Sequence, residues 1–311
     1  MPAHPDSAPP GSARPDPAQQ LGDRIGDWYA AGHRELPWRR DGFGAWGILV
    51  SEFMLQQTPV ARVIPRLAQW LERWPAPADL AAVPPGEAVR QWDRLGYPRR
   101  ALALHGAAVA ITQRHGGIVP DDVDALLALP GVGPYTARAV AAFAYAVRTP
   151  VVDINARRVL ARAVDGQAEP GPANARSDHA LMESVLPRDP ARARLVNAGA
   201  MELGQTVCTA RSPRCDACPI ADACAWRAAG YPAYEGPAAP RQKRYEGSDR
   251  QARGRILHEL RGSDIPVPAA VLLSLAPDAA QLERALAGLL RDGLAVGDPV
   301  DGYTLPTGGD S

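Results

Sequence analysis

Cysteine is scarce in this chain of 311 residues, and its four copies all fall between positions 208 and 224. A basic-then-apolar leader is missing from the N-terminal segment, so secretion is not expected. Without an oxidising compartment, paired disulfides are an unlikely use for the four thiols. No apolar run approaches the ~20 residues of a membrane-spanning helix, so no membrane association is expected and an intracellular, soluble protein is. Net charge is also missing: 34 basic residues balance 34 acidic ones, which gives no global electrostatic case for nucleic acid. Finally, the alternation of a half-buried strand is absent between Gln19 and Ala229, which argues against a sheet-built core.

What is present is helical. Segments such as Gly47–Gln57, Pro65–Trp74, Arg100–Arg114, Val123–Leu129 and Pro134–Val147 carry apolar residues at helical spacing, with Pro and Gly between them. The expected fold class is therefore all-α. Length leaves room for about two domains at ~100–200 residues each. Residues 1–18 read as a disordered tail of Pro, Ala, Ser and Asp. Residues 232–247 read as a Pro-rich linker. Beyond it, two helical segments (250–260 and 279–290) and a hairpin around Asp301-Gly302 suggest a small winged-helix-like module over 248–307. The basic residues are overwhelmingly Arg, and some gather locally: Arg157, Arg158 and Arg162, then Arg188, Arg192 and Arg194. The bland reading of that bias is a GC-rich genome that favours Arg and Ala codons.

The cysteines follow C-x6-C-x2-C-x5-C: Cys208, Cys215, Cys218, Cys224. Four thiolates suit either Zn²⁺ or an iron–sulfur cluster. Structural zinc usually takes two C-x2-C knuckles, and only one is present. Uneven wrapping by the outer two fits a bulky [4Fe–4S] cluster better than one tetrahedral ion. The spacing alone leaves redox and structural roles both open.

Three further features carry chemistry. Leu129-Pro130-Gly131-Val132-Gly133-Pro134-Tyr135 lies between two helical segments, the first capped by Asp121 or Asp122 and the second opened by Pro134. Amides at such a helix start can hold an anion, which reads as a hairpin gripping a DNA phosphate or as an ordinary helical corner. Asp153 ends an apolar stretch, where it can serve as a helix cap or as a reactive carboxylate. Glu52 sits in a largely apolar helix, surroundings that raise a carboxyl's pKa toward neutrality and let it donate a proton. Gln56, Gln57 and Thr58 follow it, with groups able to read base edges. One acid to protonate and one carboxylate to stabilise a cation is the recurring solution for breaking a glycosidic bond.

Together these residues resemble the helix-hairpin-helix DNA glycosylases with an iron–sulfur loop, the endonuclease III superfamily, over about residues 22–230. The expected core is 19–231, with a six-helix lobe over about 42–147 and a cluster lobe of 19–41 plus 148–231. Leu36-Pro37-Trp38-Arg39 and Ser51-Glu52-Phe53-Met54-Leu55-Gln56-Gln57-Thr58 narrow the likeness to its adenine-specific (MutY-type) branch. The resemblance implies that Glu52 protonates a flipped adenine and Asp153 stabilises the sugar cation, with Tyr135 and Asn155 keeping that site in order. Where endonuclease III has a Schiff-base lysine this chain has Tyr135, which implies a monofunctional enzyme with little or no lyase activity. Trp38, Arg39 and Leu55 would line the adenine pocket. Gln57, Thr58 and Tyr97 would face the opposite strand, with Tyr97 as a wedge. Gly131 and Gly133 would hold a phosphate, and a structural cluster would set Arg211 and Arg214 against DNA. The implied partner is double-stranded DNA with A·8-oxoguanine or A·G mispairs, bound by a monomer in a bacterial cytoplasm.

Departures from the pattern are Pro98, Ile154 and the short C-terminal module, which stands where the family carries a Nudix-like domain with a Phe-Ser-His loop. A weakened preference for A·8-oxoguanine over A·G is the expected consequence. Competing readings are a thymine or uracil (G·T mismatch) glycosylase of the same superfamily and a non-catalytic iron–sulfur DNA-binding regulator.

Overall fold

Nine consecutive residues, Trp46 through Met54, are buried in a single helix. A helix apolar on every side belongs at the centre of a bundle, and this one organises half of the molecule. The computed structural model describes residues 16–237 and 245–308. Most of the expected tail (residues 1–15) and the middle of the expected linker (238–244) lie outside the described residues.

In chain order the helices are α1 (Pro17–Ala31), α2 (Ala45–Leu55), α3 (Val60–Arg73), α4 (Pro77–Ala81) and α5 (Pro85–Trp92). Then come α6 (Arg99–Arg114), α7 (Val123–Leu127), α8 (Pro134–Tyr145), α9 (Ile154–Ala163) and α10 (Ala175–Val185). The last are α11 (Pro190–Thr206), α12 (Ala225–Ala228), α13 (Asp249–Gly262), α14 (Ala269–Leu273) and α15 (Ala279–Arg291). Strands β1 (Val296–Asp298) and β2 (Gly302–Thr304) close the chain as an antiparallel pair with Val296 opposite Thr304. The fold is mostly helical, as the periodicity indicates.

The chain divides into two compact units, residues 1–34 with 148–237 and residues 35–147 with 238–311. Residues 35–41, expected with the cluster lobe, group instead with the second unit. In the first unit α1, α9, α10 and α11 pack around Leu21, Ile25, Leu160, Val196 and Leu203. The Glu202 carboxylate, buried on α11, accepts two 2.6 Å bonds from the Arg34 guanidinium. A buried carboxylate so paired is costly to break from either side.

In the second unit α2 is surrounded by α3, α6 and α8, with Trp70 and Trp92 fully buried beside it. Pro65 does not open α3 but lies inside it, and the helix starts at Val60. The carbonyl that Pro65 leaves without an amide donor belongs to Ala61, an exposed residue, so solvent meets the loss. The C-terminal residues are not a module apart. Ile256, Leu260, Leu282 and Leu289 join the same hydrophobic cluster as α2. Val267 bridges to Tyr303 through two 2.9 Å backbone bonds, adding a third short strand segment. The hairpin turn falls at Asp298–Asp301, earlier than Asp301-Gly302, because the Asp298 carboxylate accepts the amides of Val300 and Asp301.

Side chains bind these last helices to α5. Arg261 donates from Nε to the Val89 carbonyl at 3.0 Å, while Arg90 donates to the carbonyls of Arg261 and Ser263. Burial lowers the Arg261 pKa to about 10, so the group stays charged at neutral pH and its bond is charge-assisted. Arg261→Ala is expected to cost the full-length protein ~1–3 kcal/mol in urea unfolding and to speed amide exchange in α5. Unchanged exchange there would show that α13 does not support α5.

Candidate active site and cluster loop

In the first unit the chain reaches Asp153 through an extended segment that Asn197 holds like a neighbouring strand. Asn197, wholly buried on α11, accepts the Val151 amide at 2.8 Å and donates to the Thr149 carbonyl at 3.0 Å. Asp153 is then the N-cap of α9, accepting the Ala156 amide on Oδ1 at 2.7 Å. Its other oxygen accepts 2.7 Å from Asn155 Nδ2. The cap and the candidate reactive carboxylate are thus one group, and the cap is worth ~1 kcal/mol to the helix. Burial pushes the Asp153 pKa above its ordinary value, against the opposing pull of the Ala156 amide, Asn155 and Arg158.

Asn155 is itself oriented. Its Oδ1 accepts 3.0 Å from Arg158 Nη2, which also donates 2.5 Å to the Gly204 carbonyl, while Arg158 Nε donates 2.8 Å to the Cys208 carbonyl. Gly204 is required here, because a Cβ on it would lie 2.5 Å from the Asn155 carbonyl oxygen. A continuous polar chain therefore runs from Asp153 through Asn155 and Arg158 to the first cysteine. Sequence reasoning grouped Arg158 with a charge cluster and missed Asn197. The available signal was a lone amide within the apolar run of α11.

All four cysteines line one pocket, with Val159, Leu203, Ile220 and Trp226 around them. Among the described residues no three metal-ligating side chains gather about a single-ion position. Burial raises the Cys208 thiol and pushes Cys218 up to about 11. Thiols in such a pocket become thiolates only against a positive centre, which a [4Fe–4S] cluster's iron provides. Arg162 approaches as well: Nη1 donates to Cys208 Sγ at 3.3 Å, and the guanidinium lies 4.7 Å from the Trp226 ring centroid. Arg162 also binds the Thr209 and Ala210 carbonyls. Past them, Arg211 and Arg214 are exposed, with Arg214 tied to the Thr206 carbonyl at 2.8 Å.

In the second unit Glu52 is 5% exposed within α2. The hairpin follows α7, whose N-cap is Asp122, accepting the Ala125 amide at 2.9 Å. Gly131 has φ +73°, and a Cβ there would lie 2.5 Å from Ala103 Cβ and 3.1 Å from the Phe53 ring. The turn is thus seated directly on α2 and α6. Gly133 is the extended N-cap of α8 (φ −93°) with open space where a side chain would go. Its lack of a side chain keeps the helix start bare and is not needed for the turn. Tyr135 is half-buried in the first turn of α8, and Gln56 Nε2 reaches Thr136 Oγ1 at 3.5 Å.

Trp38 packs partly buried on this unit's core, and Arg39 ends a short 3-10 turn. Leu55, half-buried, is the last residue of α2. Gln57 is exposed with φ +56°, and Tyr97 is 46% exposed with φ +48°. For a bulky side chain that left-handed backbone costs roughly 1–2 kcal/mol, and such strain concentrates at functional positions. Thr58 departs from expectation: it is buried, and its hydroxyl donates to the Leu95 carbonyl at 3.1 Å. It supports this loop from within and presents no group outward.

Residues 50–183 match the family model of the HhH-GPD superfamily base excision DNA repair protein, and residues 208–224 match the iron–sulfur binding domain of endonuclease III. An adenine DNA glycosylase of Mycobacterium tuberculosis is 51% identical over 282 residues, 90% of this chain and 91% of that protein. One from Mycolicibacterium smegmatis is 54% identical over 268 residues, 86% of this chain and 89% of that one. Both alignments are too long to stop at the core and so run into the C-terminal helices. Among solved structures, a thermostable thymine-DNA glycosylase superposes with a TM-score of 0.61 at 26% identity, covering 68% of this chain and 97% of that one. The loop matched by the iron–sulfur model holds Arg162 as a buried neighbour of its ligands. Removing such a neighbour typically costs ~10–100-fold in metal affinity, so Arg162→Gln is expected to lower the iron and sulfide content of the purified protein. Full loading would show that Arg162 is dispensable to the cradle. The chain belongs to the adenine DNA glycosylase family of helix-hairpin-helix base-excision repair proteins.

Proposed function

We propose that this DNA glycosylase excises adenine mispaired with 8-oxoguanine or guanine, as a monomer acting on double-stranded DNA in the bacterial cytoplasm. It is a base-excision repair enzyme that hydrolyses an N-glycosidic bond. The observation that carries the proposed division of labour is the contrast between two carboxyl groups. Glu52 lies in a helix buried continuously from Trp46 to Met54, and Asp153 is held by an amide, a carboxamide and a nearby guanidinium.

Departure of adenine from deoxyribose needs a proton on the purine ring and stabilisation of the positive charge left on the sugar. Glu52 donates the proton to N7 of a flipped adenine, because an apolar setting favours the neutral acid. Asp153, ionised, stabilises the oxocarbenium-like sugar, and Asn155 and Arg158 fix its orientation. Tyr135 stands where a Schiff-base amine would be required for strand cleavage, so lyase activity is absent or weak. Trp38, Arg39 and Leu55 contribute to the adenine pocket, while Gln57 and Tyr97 meet the opposite strand. Gly131 and Gly133 leave the α8 amides open to a backbone phosphate. Arg211 and Arg214 extend the contact from the cluster loop. The bound cluster supplies a rigid crosslink among four thiolates.

Glu52→Gln is expected to abolish excision in single-turnover assays while leaving affinity for mispaired duplex within a few-fold. A panel of A·8-oxoguanine, A·G, A·C, T·G and U·G duplexes tests the specificity. Release of thymine or uracil in preference to adenine would favour the mismatch-thymine alternative, and no release at all would favour a binding protein. The pH dependence has a definite sign. Asp153 must be ionised, so the rate falls as pH drops through its pKa, which burial has raised. Asn155 opposes that rise, so Asn155→Ala should raise the pKa further and move the acid limb of the pH–rate profile to higher pH. An unmoved or lowered limb would show that Asn155 does not act on Asp153.

A further inference from the structure

Two residues in the left-handed region, Gln57 and Tyr97, lie in different loops of the second unit, and one guanidinium binds both loops. Arg100, in the first turn of α6, donates from Nη1 to the Phe53 carbonyl at 2.8 Å and to the Gln56 carbonyl at 2.5 Å. Nη2 donates to the Gly96 carbonyl at 3.0 Å and to Thr58 Oγ1 at 3.3 Å. The same group lies 5.3 Å from the ring centroids of both Trp92 and Tyr97. Thr58 donates to Leu95, so two side chains cross-brace the loops, and Trp92 Nε1 adds a bond to the Gly96 carbonyl from within its own loop.

The chemistry suits arginine alone. Only a planar fork delivers parallel bonds to acceptors on two segments while stacking beside aromatic rings. The Phe53 and Gln56 carbonyls are free acceptors at the C-terminal end of α2, where a cation is favoured. The arrangement is costly: Nε is buried without a hydrogen-bond partner in the structure, and burial lowers the pKa to about 10. A group kept under that cost, bonded to the backbone beside the two strained residues, holds a conformation that neither loop would keep by itself.

We propose that Arg100 is the positioning residue for recognition of the base opposite adenine. It locks the Gln57 and Tyr97 turns to each other and to the C-terminal end of the Glu52 helix, so that the two side chains meet the duplex as one pre-set edge. This rests on the assignment of Gln57 and Tyr97 to the opposite strand under Proposed function.

The test uses the full-length, cluster-loaded protein. Arg100→Lys, Arg100→Gln, Gln57→Ala, Tyr97→Ala and the Arg100→Lys/Tyr97→Ala double variant are compared by single-turnover excision from A·8-oxoguanine and A·G duplexes. Far-UV circular dichroism and amide exchange accompany the rates. Arg100→Lys is expected to fold, to exchange faster at both 55–58 and 95–97, and to lose roughly fivefold or more of the A·8-oxoguanine preference. The double variant should then lose no more preference than Tyr97→Ala, the signature of two residues acting through one arrangement. An unchanged preference in Arg100→Lys, or a full additive loss in the double variant, overturns the clamp. So does failure of both Arg100 variants to fold, since the residue would then be a determinant of folding alone. If Gln57→Ala and Tyr97→Ala themselves leave the preference intact, the assignment of those residues to the opposite strand is what fails, and the proposal with it.

Discussion

The close passage of α11 against α9 is the constraint on which the first unit depends. It is possible only because Gly204 has no side chain, and it anchors the supports of the aspartate along two turns of α11. The Gly204 carbonyl and the Cys208 carbonyl anchor Arg158. Arg158 turns Asn155, and Asn155 turns Asp153. A few residues earlier on α11, Asn197 fixes the extended segment that leads to the aspartate. Interaction energies of ~1–3 kcal/mol for each charge-assisted bond are modest singly. Arranged in series they transmit position, so the cysteine loop and the carboxylate share one set of supports. The loop and the N-cap of α9 are therefore positioned together.

The second unit meets the same demand by different means. Glu52 needs an apolar setting, and it obtains one from a helix buried from Trp46 to Met54. The surfaces proposed to meet DNA begin where that helix ends. There the chain turns sharply through residues whose backbone would relax if left alone, and buried polar side chains keep it in place. Thr58 illustrates the division. It stands beside an exposed glutamine yet turns its hydroxyl inside, so of two adjacent residues one faces solvent and the other braces the loop.

Much of this was legible in the sequence. The cysteine spacing, the hairpin glycines, Asp153 as a cap and Glu52 in an apolar helix are local patterns, and local patterns survive in one dimension. The all-helical class followed from periodicity for the same reason. Arg158, Asn197 and Arg100 were not legible in their roles, because each acts through backbone carbonyls or amides brought near by tertiary packing. A carbonyl has no sequence signature. The winged-helix-like pattern of the C-terminal segment was readable, but its membership of the α2 core was not. That depends on which buried faces meet, and Arg261 reaches Val89 across more than 170 positions. The Pro65 and Thr58 differences have a common origin, since proline tolerance and hydroxyl burial are both decided by which side of a helix or loop faces solvent.

The interleaving of the two units has a consequence for how the molecule is made. The ribosome delivers α1 first, but the helices that cover it, α9 to α11, arrive only after the whole of α2 to α8 has been synthesised. The α2 core in turn waits for α13 to α15, its last pieces. At ~5–20 residues per second, that leaves unfinished apolar surface exposed on the nascent chain for on the order of ten seconds. The half begun first is completed first, and the half holding Glu52 closes only when the final helices emerge. The last helices dock on α5, so a nascent-chain chaperone would meet that helix with one face still bare well after α3, α6 and α8 have surrounded the glutamate helix.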